Sequence, residues 1–161
     1  RREYVASGGR LTMSRTPMDE GGAAAVDEHR AELEPIGATV TVGELPAVLG
    51  HGDHLRRVVS NLVSNAIKYR SVRPLTIDIT AEKRDGRVRF GVRDNGIGIA
   101  PKYQDRVFEP LRRLHAEGEI PGVGLGLALV RQVVEGCGGT CGLESERDVG
   151  TTVWFELVAL D

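Results

Sequence analysis

The sequence predicts an α/β fold, a two-layer sandwich in which a mixed sheet of about five strands packs on three helices. Apolar residues repeat every three to four positions over residues 53–69, the pattern of a helix with one buried face. Two alternating, β-branched segments flank Asp85 and Gly86, a pair that favours a hairpin turn. Apolar residues make up 40% of the 161 residues, which is enough for the core of a single domain.

The first residues, 1–17, are interpreted as a linker that follows the end of a helix. Gly8 and Gly9 favour a helix end, and Pro17 prevents another helix from starting earlier. Because the chain does not begin with Met, we expect it to be part of a longer protein.

The first predicted helix begins near Asp19 and Glu20, since carboxylates are favourable at the positive end of a helix dipole. It includes residues 24–33 and ends before Pro35 and Gly37, which both interrupt helices.

Two further helices are predicted over residues 53–69 and 125–135. Asn61, Asn65 and Lys68 share a polar face of the earlier one. Its apolar stripe consists of Leu55, Val58, Val59, Leu62, Val63, Ala66 and Ile67. The later helix is apolar on most sides, so we expect it to be largely covered.

Five segments have the alternation and β-branched composition of strands. They are residues 38–42, 75–79, 88–92, 140–145 and 152–158. The turn at Asp85 and Gly86 makes the second and third segments antiparallel neighbours.

Charge and hydropathy argue against several classes of function. The 21 basic and 23 acidic residues give a net charge of −2, so nucleic acid is not an expected partner. No apolar run approaches the roughly 18 residues that span a bilayer, and the first residues lack the apolar stretch of a signal peptide. We therefore expect a cytoplasmic protein without direct membrane contact.

Cys137 and Cys141 allow two interpretations. They could form a redox pair or half of a metal site, but small thiols packed in a core are the commoner case. The four histidines are scattered, without the spacing of metal ligands.

Four short segments predict a single ATP site. They are NLVSNAIKY at residues 61–69, DNGIGI at 94–99, VFEPL at 107–111 and GVGLGL at 122–127. Glycines recur where a backbone must approach a ligand or open a helix towards phosphate, and polar residues stand where a purine and a metal need partners.

Asn65 is the predicted metal ligand. An amide oxygen is a neutral, hard ligand that suits Mg²⁺ whose charge is already balanced by phosphates, and Asn61 lies one helical turn away. Alternatively, Asn61, Asn65 and Lys68 are the solvated face of an amphipathic helix.

Asp94 is the predicted adenine ligand. Its carboxylate ends a strand and can accept a hydrogen bond from the exocyclic amine of adenine. Gly96 and Gly98 let the backbone, up to Ile99, pass close to the base. Taken alone, the pattern also occurs in ordinary turns.

The last glycine-rich segment leads directly into a helix, so its free N–H groups and the helix dipole would face a polyphosphate. The predicted contacts are Gly122, Gly124, Leu125, Gly126 and Leu127. The segment lacks the Gly-Lys-Ser/Thr of a P-loop, and a flexible hinge is the alternative.

In order and spacing, the four segments resemble the N, G1, F and G2 boxes of sensor histidine kinases, most closely those related to phytochromes. The resemblance covers about residues 19–157 and implies a Bergerat ATP-binding fold. It implies that Asn65 holds magnesium and that Lys68 and Tyr69 reach the phosphates and the flank of the nucleotide. Thr151, in a Gly-Thr pair, would support the adenine-binding carboxylate.

The resemblance marks the segment between Leu111 and Gly122 as an ATP lid. Arg112, Arg113 or His115 could reach phosphate from it. The alternative is that these are solvated loop charges.

Two absences bear on the activity. Hydrolytic relatives carry a glutamate as general base where this chain has Asn61, and a neutral amide cannot take a proton at pH 7. No phosphoacceptor histidine box is present, since His29 is followed by Arg30. Residues 1–17 resemble the end of a dimerisation helix with its linker, and residues 18–161 the catalytic and ATP-binding domain.

The resemblance therefore implies transfer of the γ-phosphoryl group of ATP, with Mg²⁺, to a histidine on a separate dimerisation domain of the same kinase. A response regulator receiver domain would be the next partner. We expect the isolated domain to be a monomer and the full-length protein a homodimer. An ATP hydrolase and a non-catalytic nucleotide-sensing module of the same fold are the alternatives.

Overall fold

The computed structural model describes residues 3–6, 9–109 and 127–160. The strands are β1 (Glu3–Ala6), β2 (Gly9–Thr12), β3 (Ser14–Thr16), β4 (Thr39–Val42), β5 (Val48–Gly50), β6 (Thr76–Arg84), β7 (Arg87–Asp94), β8 (Thr140–Glu146) and β9 (Gly150–Val158). The helices are α1 (Met18–Glu28), α2 (Arg30–Leu33), α3 (Gly52–Lys68), α4 (Pro101–Gln104) and α5 (Leu127–Gly136).

A five-stranded sheet in the order β4-β6-β7-β9-β8 forms one layer of the fold. β4 is parallel to β6 and the other neighbours are antiparallel, so the sheet is mixed, as predicted. Asp85 and Gly86 join β6 to β7 with φ angles of 52° and 78°. Positive φ at both residues is typical of a type I′ turn, which matches the twist of the two strands it joins.

The helices α1, α3 and α5 form the second layer, and the core lies between the layers. All seven apolar residues of the predicted stripe on α3 are buried. They face the inward side chains of the sheet, among which Phe90 and Phe155 are register partners with ring centroids 5.1 Å apart. The period of the stripe thus identifies the buried face of α3 correctly.

The start of the chain differs from the prediction. Residues 3–6 and 9–12 pair as antiparallel strands rather than ending a helix, and β3 pairs with β5. Met13 and Thr16 are buried, and the Thr16 hydroxyl donates to the carbonyl of Gly50 at 3.2 Å. A glycine pair favours a hairpin connection as much as a helix end, so the pattern alone did not discriminate between them. Residues 14–16 accordingly pack with the sandwich.

Candidate functional site

A pocket lies between α3 and the end of the sheet where β7 stops. Apolar and polar groups of α3, β7 and β9 line it, together with the loop after β7 and the start of α5. Its lining residues are Leu62, Asn65, Tyr69, Val92, Asp94, Gly98, Ile99, Leu127, Thr151 and Val153. Of the predicted site residues, Asn65, Tyr69, Asp94, Gly98, Ile99, Leu127 and Thr151 are therefore brought together.

Asp94 is the half-buried carboxylate of this pocket. It ends β7, directly opposite Thr151 of β9 in the sheet register. Its Oδ1 accepts a hydrogen bond from the Gly96 N–H at 2.9 Å. Burial raises the pKa of Asp94 above its usual value, while backbone hydrogen bonds from Gly96 and Thr151 act in the opposite direction. A carboxylate has more acceptor sites than these two bonds use, so Asp94 can still accept from a ligand.

The loop after Asp94 depends on its glycines. Gly98 has a φ of 73°, and a Cβ there would overlap the main-chain carbonyl of Glu146. A Cβ on Gly96 would lie 2.6 Å from the carbonyl oxygen of Tyr69. The Ile97 N–H donates to that same carbonyl at 3.0 Å, which joins the loop to the end of α3.

Two predicted residues of α3 and one of the loop do not line the pocket. Asn61 is half-buried one turn before Asn65, and Lys68 is exposed with its Nζ 5.4 Å from the centroid of the Tyr69 ring. Gly96 does not line the pocket either, and its N–H donates to the Asp94 carboxylate. Asn65 is thus the amide of α3 that faces the pocket.

Part of the predicted phosphate site lies outside the described residues. This concerns Arg112, Arg113, His115, Gly122, Gly124, Leu125 and Gly126. Their roles stay predictions. The described part of the segment at 107–111 contributes Val107, which is buried in the core, and Phe108, which packs against it.

Sequence reasoning missed Ser145, which holds the pocket together from β8. Its Oγ accepts the Ile99 N–H at 2.8 Å, and it lies 2.8 Å from the Thr151 Oγ1 and 3.1 Å from the Gly150 carbonyl oxygen. Gln104 of α4 donates from Nε2 to the carbonyls of Ile99 at 2.8 Å and of Ser145 at 3.0 Å. A serine in an alternating strand carries no sequence signal for such a role.

Arg73 was also missed, because an arginine in a polar loop has the pattern of a solvated charge. Its Nη2 donates to the carbonyls of Asn95 at 2.8 Å, Gly96 at 3.3 Å and Val149 at 3.3 Å. The guanidinium therefore connects the loop after Asp94 with the turn between β8 and β9.

The two cysteines are free thiols, and burial raises the pKa of both Cys137 and Cys141. Within residues 12–109 and 127–160, no group of three or more His, Cys, Asp or Glu side chains could hold a metal ion. None of the helices in those ranges is long and apolar enough to cross a membrane.

Comparison with known proteins identifies the family of this chain. The sequence profile of the histidine kinase-, DNA gyrase B- and HSP90-like ATPases matches residues 50–160, more than half of the chain. The chain belongs to this family. The match includes all the residues that line the pocket.

Phytochromes and sensor histidine kinases are among the proteins that the chain resembles. The cyanobacterial phytochrome A of Nostoc sp. is 36% identical over 142 residues, which cover 88% of this chain and 19% of that protein. The structure of full-length ShkA in complex with AMPPNP has a TM-score of 0.78 and 28% identity, over 97% of this chain and 33% of ShkA. The mycobacterial sensor histidine kinase MprB has a TM-score of 0.75 and 28% identity, over 92% and 98% of the two chains.

The chain has the predicted α/β sandwich, which it shares with the mycobacterial sensor histidine kinase MprB. It spans about a fifth, 19%, of the length of the phytochrome that it matches.

We expect the two faces of α3 to separate nucleotide binding from stability. Asn65→Ala should weaken metal-dependent ATP binding and leave the fold intact, because the side chain faces the pocket and is half-buried. Leu55→Ala is the matched control, since Leu55 is fully buried in the same helix and does not line the pocket. It should cost about 2–5 kcal/mol of unfolding free energy. Thermal melts and calorimetry with and without Mg²⁺ measure both effects, and equal destabilisation of the two variants would contradict the assignment.

Proposed function

We propose that this chain binds Mg-ATP and transfers the γ-phosphoryl group to a histidine on a separate dimerisation domain of the same kinase. The observation that carries the proposal is the half-buried carboxylate of Asp94 in an apolar pocket between α3 and a glycine-dependent loop. The family and the sensor kinases that it contains are consistent with this activity.

The residues of the pocket fit a purine. Leu62, Val92 and Val153 give apolar walls for the flat base, and Asp94 can accept a hydrogen bond from the adenine amine. A guanine would place a carbonyl oxygen against the same carboxylate, so its binding would be unfavourable. We therefore propose adenine specificity with Asp94 as its determinant.

Asn65 is the residue that we propose as the magnesium ligand. A neutral amide fits a cation whose charge is balanced by phosphates better than a further carboxylate would. When bound, Mg²⁺ would neutralise negative charge on the phosphates. Lys68, at the exposed end of α3, and the arginines at 112 and 113 would add positive charge on the phosphate side, and Tyr69 would flank the nucleotide.

The chain supplies positioning rather than a general base. Asn61, one turn before Asn65, is a neutral amide and cannot accept a proton from water. Phosphoryl transfer needs little covalent assistance from the protein, so alignment of the acceptor and neutralisation of charge are sufficient. The amide at Asn61 therefore favours a kinase over a hydrolase.

The proposed partners follow from the phosphoryl group. The histidine-bearing dimerisation domain of the same kinase receives it, and the receiver domain of a response regulator takes it next. We propose that the isolated domain is a monomer, that the full-length protein is a homodimer and that both act in the cytoplasm.

The proposal is tested by phosphotransfer from radiolabelled ATP. We expect no labelling of the chain alone and acid-labile, base-stable label on the dimerisation domain of the same kinase when that domain is added in trans. The added domain supplies the acceptor that this chain lacks. A dimerisation domain with its acceptor histidine changed to Gln is the matched control and should stay unlabelled.

Two outcomes would contradict the kinase assignment. Rapid ATP hydrolysis by the lone chain, without labelling of the partner, would indicate the hydrolase. ATP binding with neither hydrolysis nor labelling would indicate a nucleotide-sensing module.

A further inference from the structure

The hydroxyl of Ser145 lies at a junction of three elements beside the pocket. It accepts the N–H of Ile99, which follows the glycine loop, at 2.8 Å. It also lies within hydrogen-bond distance of the Gly150 carbonyl, at 3.1 Å, and of the Thr151 Oγ1, at 2.8 Å. Ile99 and Thr151 both line the pocket, whereas Ser145 does not.

Counting protons limits what these groups can do together. A serine hydroxyl has one proton and two acceptor sites. If Ser145 donates to the Gly150 carbonyl, Thr151 must donate to Ser145 to keep their contact, and Thr151 then offers the pocket an acceptor. If Ser145 donates to Thr151, the Thr151 proton is available to the pocket. The orientation of one hydroxyl thus decides whether Thr151 acts as a donor or an acceptor.

The adenine edge requires a donor at this place. It presents an amine donor beside an unprotonated ring nitrogen, N1, which is an acceptor. The Asp94 carboxylate can serve only the amine. Thr151 is the register partner of Asp94 on the adjacent strand, so its hydroxyl is the neighbouring side-chain group that can donate towards N1, directly or through a water.

The position of Ser145 is itself constrained. Gln104 donates from Nε2 to the main-chain carbonyls of both Ser145 and Ile99, at 3.0 and 2.8 Å. Ser145 and Ile99 are therefore joined in two ways: the Ile99 N–H donates to the Ser145 hydroxyl, and the Gln104 side-chain amide donates to the carbonyls of both residues. Because the Ser145 oxygen accepts the Ile99 N–H, the serine proton can go only to the Gly150 carbonyl or to the Thr151 hydroxyl.

We propose that Ser145 is a positioning residue for adenine recognition: it donates its proton to Thr151 and so makes Thr151 the donor to N1 of the base. This inference rests on the proposed binding of ATP. It gives β8 a role in nucleotide specificity although Ser145 does not line the pocket, because Ser145 acts only through Thr151.

The test compares ATP with 1-deaza-ATP, in which a C–H group replaces N1 and cannot accept a hydrogen bond. We expect Ser145→Ala to weaken ATP binding about three- to tenfold, the range of one neutral hydrogen bond, and to leave the affinity for 1-deaza-ATP unchanged. Ser145→Thr keeps a hydroxyl on a strand and should restore most of the affinity for ATP. Calorimetry on the purified chain gives all of these values.

A double-mutant cycle tests whether Ser145 acts through Thr151. In a Thr151→Val background, which keeps the shape and removes the hydroxyl, Ser145→Ala should have no further effect on ATP affinity. Equal losses for ATP and 1-deaza-ATP, or an undiminished Ser145→Ala effect in the Thr151→Val background, would overturn the inference in favour of a structural role for Ser145. Failure of the unaltered chain to bind ATP would instead overturn the proposed function, so the two failures are distinguishable.

Discussion

We expect Asp94→Ala to lower the affinity of the chain for ATP about tenfold or more. The side chain is half-buried in an apolar pocket, where a hydrogen bond to a charged group is worth roughly 1.5–3 kcal/mol. Calorimetry with ATP and GTP measures the loss, and the unaltered chain should prefer ATP. Asp78→Ala is the matched control, because Asp78 is a half-buried carboxylate on β6, beside β7, that does not line this pocket. Equal affinity for the two nucleotides, or full ATP binding by Asp94→Ala, would refute the adenine assignment.

The raised pKa of Asp94 also predicts how affinity and stability depend on pH. Burial favours the protonated form of this carboxyl in the folded chain, so the folded state holds its proton more tightly than the unfolded state. The resulting stabilisation is present at pH values below the unfolded pKa and is lost as the pH rises through the folded pKa. Unfolding free energies of the unaltered chain and of Asp94→Asn, measured side by side, should differ by a step in that window. The affinity for ATP should have the opposite pH dependence: it should fall as the pH drops, because the Asp94 carboxylate takes up a proton.

The central sheet and α3 could be predicted because local pattern and tertiary packing agree in them. The stripe on α3 repeats with the helical period and is buried along its whole length, and the turn at Asp85 and Gly86 fixes the register of β6 and β7. In such elements the same residues determine both the local conformation and the buried face. Asp94, at the end of β7, was placed correctly for this reason.

The strands near the start of the chain could not be predicted because they depend on distant partners. β3 and β5 have three residues each and pair with one another across two intervening helices and a strand. Such short segments carry no periodicity of their own, and tertiary contacts decide their conformation. The roles of Ser145 and Arg73 could not be predicted for a related reason, since the Ile99 N–H that binds Ser145 and the Asn95 carbonyl that binds Arg73 belong to segments far away in the sequence.

The second large effect is expected at Gly98, where Gly98→Ala should both destabilise the chain and abolish tight nucleotide binding. Its φ of 73° is unfavourable for a residue with a side chain, and the new Cβ would also overlap the Glu146 carbonyl. That carbonyl belongs to the main chain of β8, so relief of the overlap requires the glycine loop to move away from β8. Such a movement displaces Ile99, which lines the pocket, and breaks its bond to Ser145.

Gly86→Ala separates the two causes of this loss. Gly86 has a φ of 78°, close to that of Gly98, but a Cβ there would meet nothing within 4 Å. It should cost only the left-handed conformation, about 1–2 kcal/mol, and retain full ATP affinity. Gly98→Ala should cost about 1–3 kcal/mol more, the range of overpacking in a well-packed region. Chemical denaturation and ATP titration of both variants test this. Equal unfolding free energies would contradict the prediction, because they would show that the glycine loop moves away from β8 at no cost in stability.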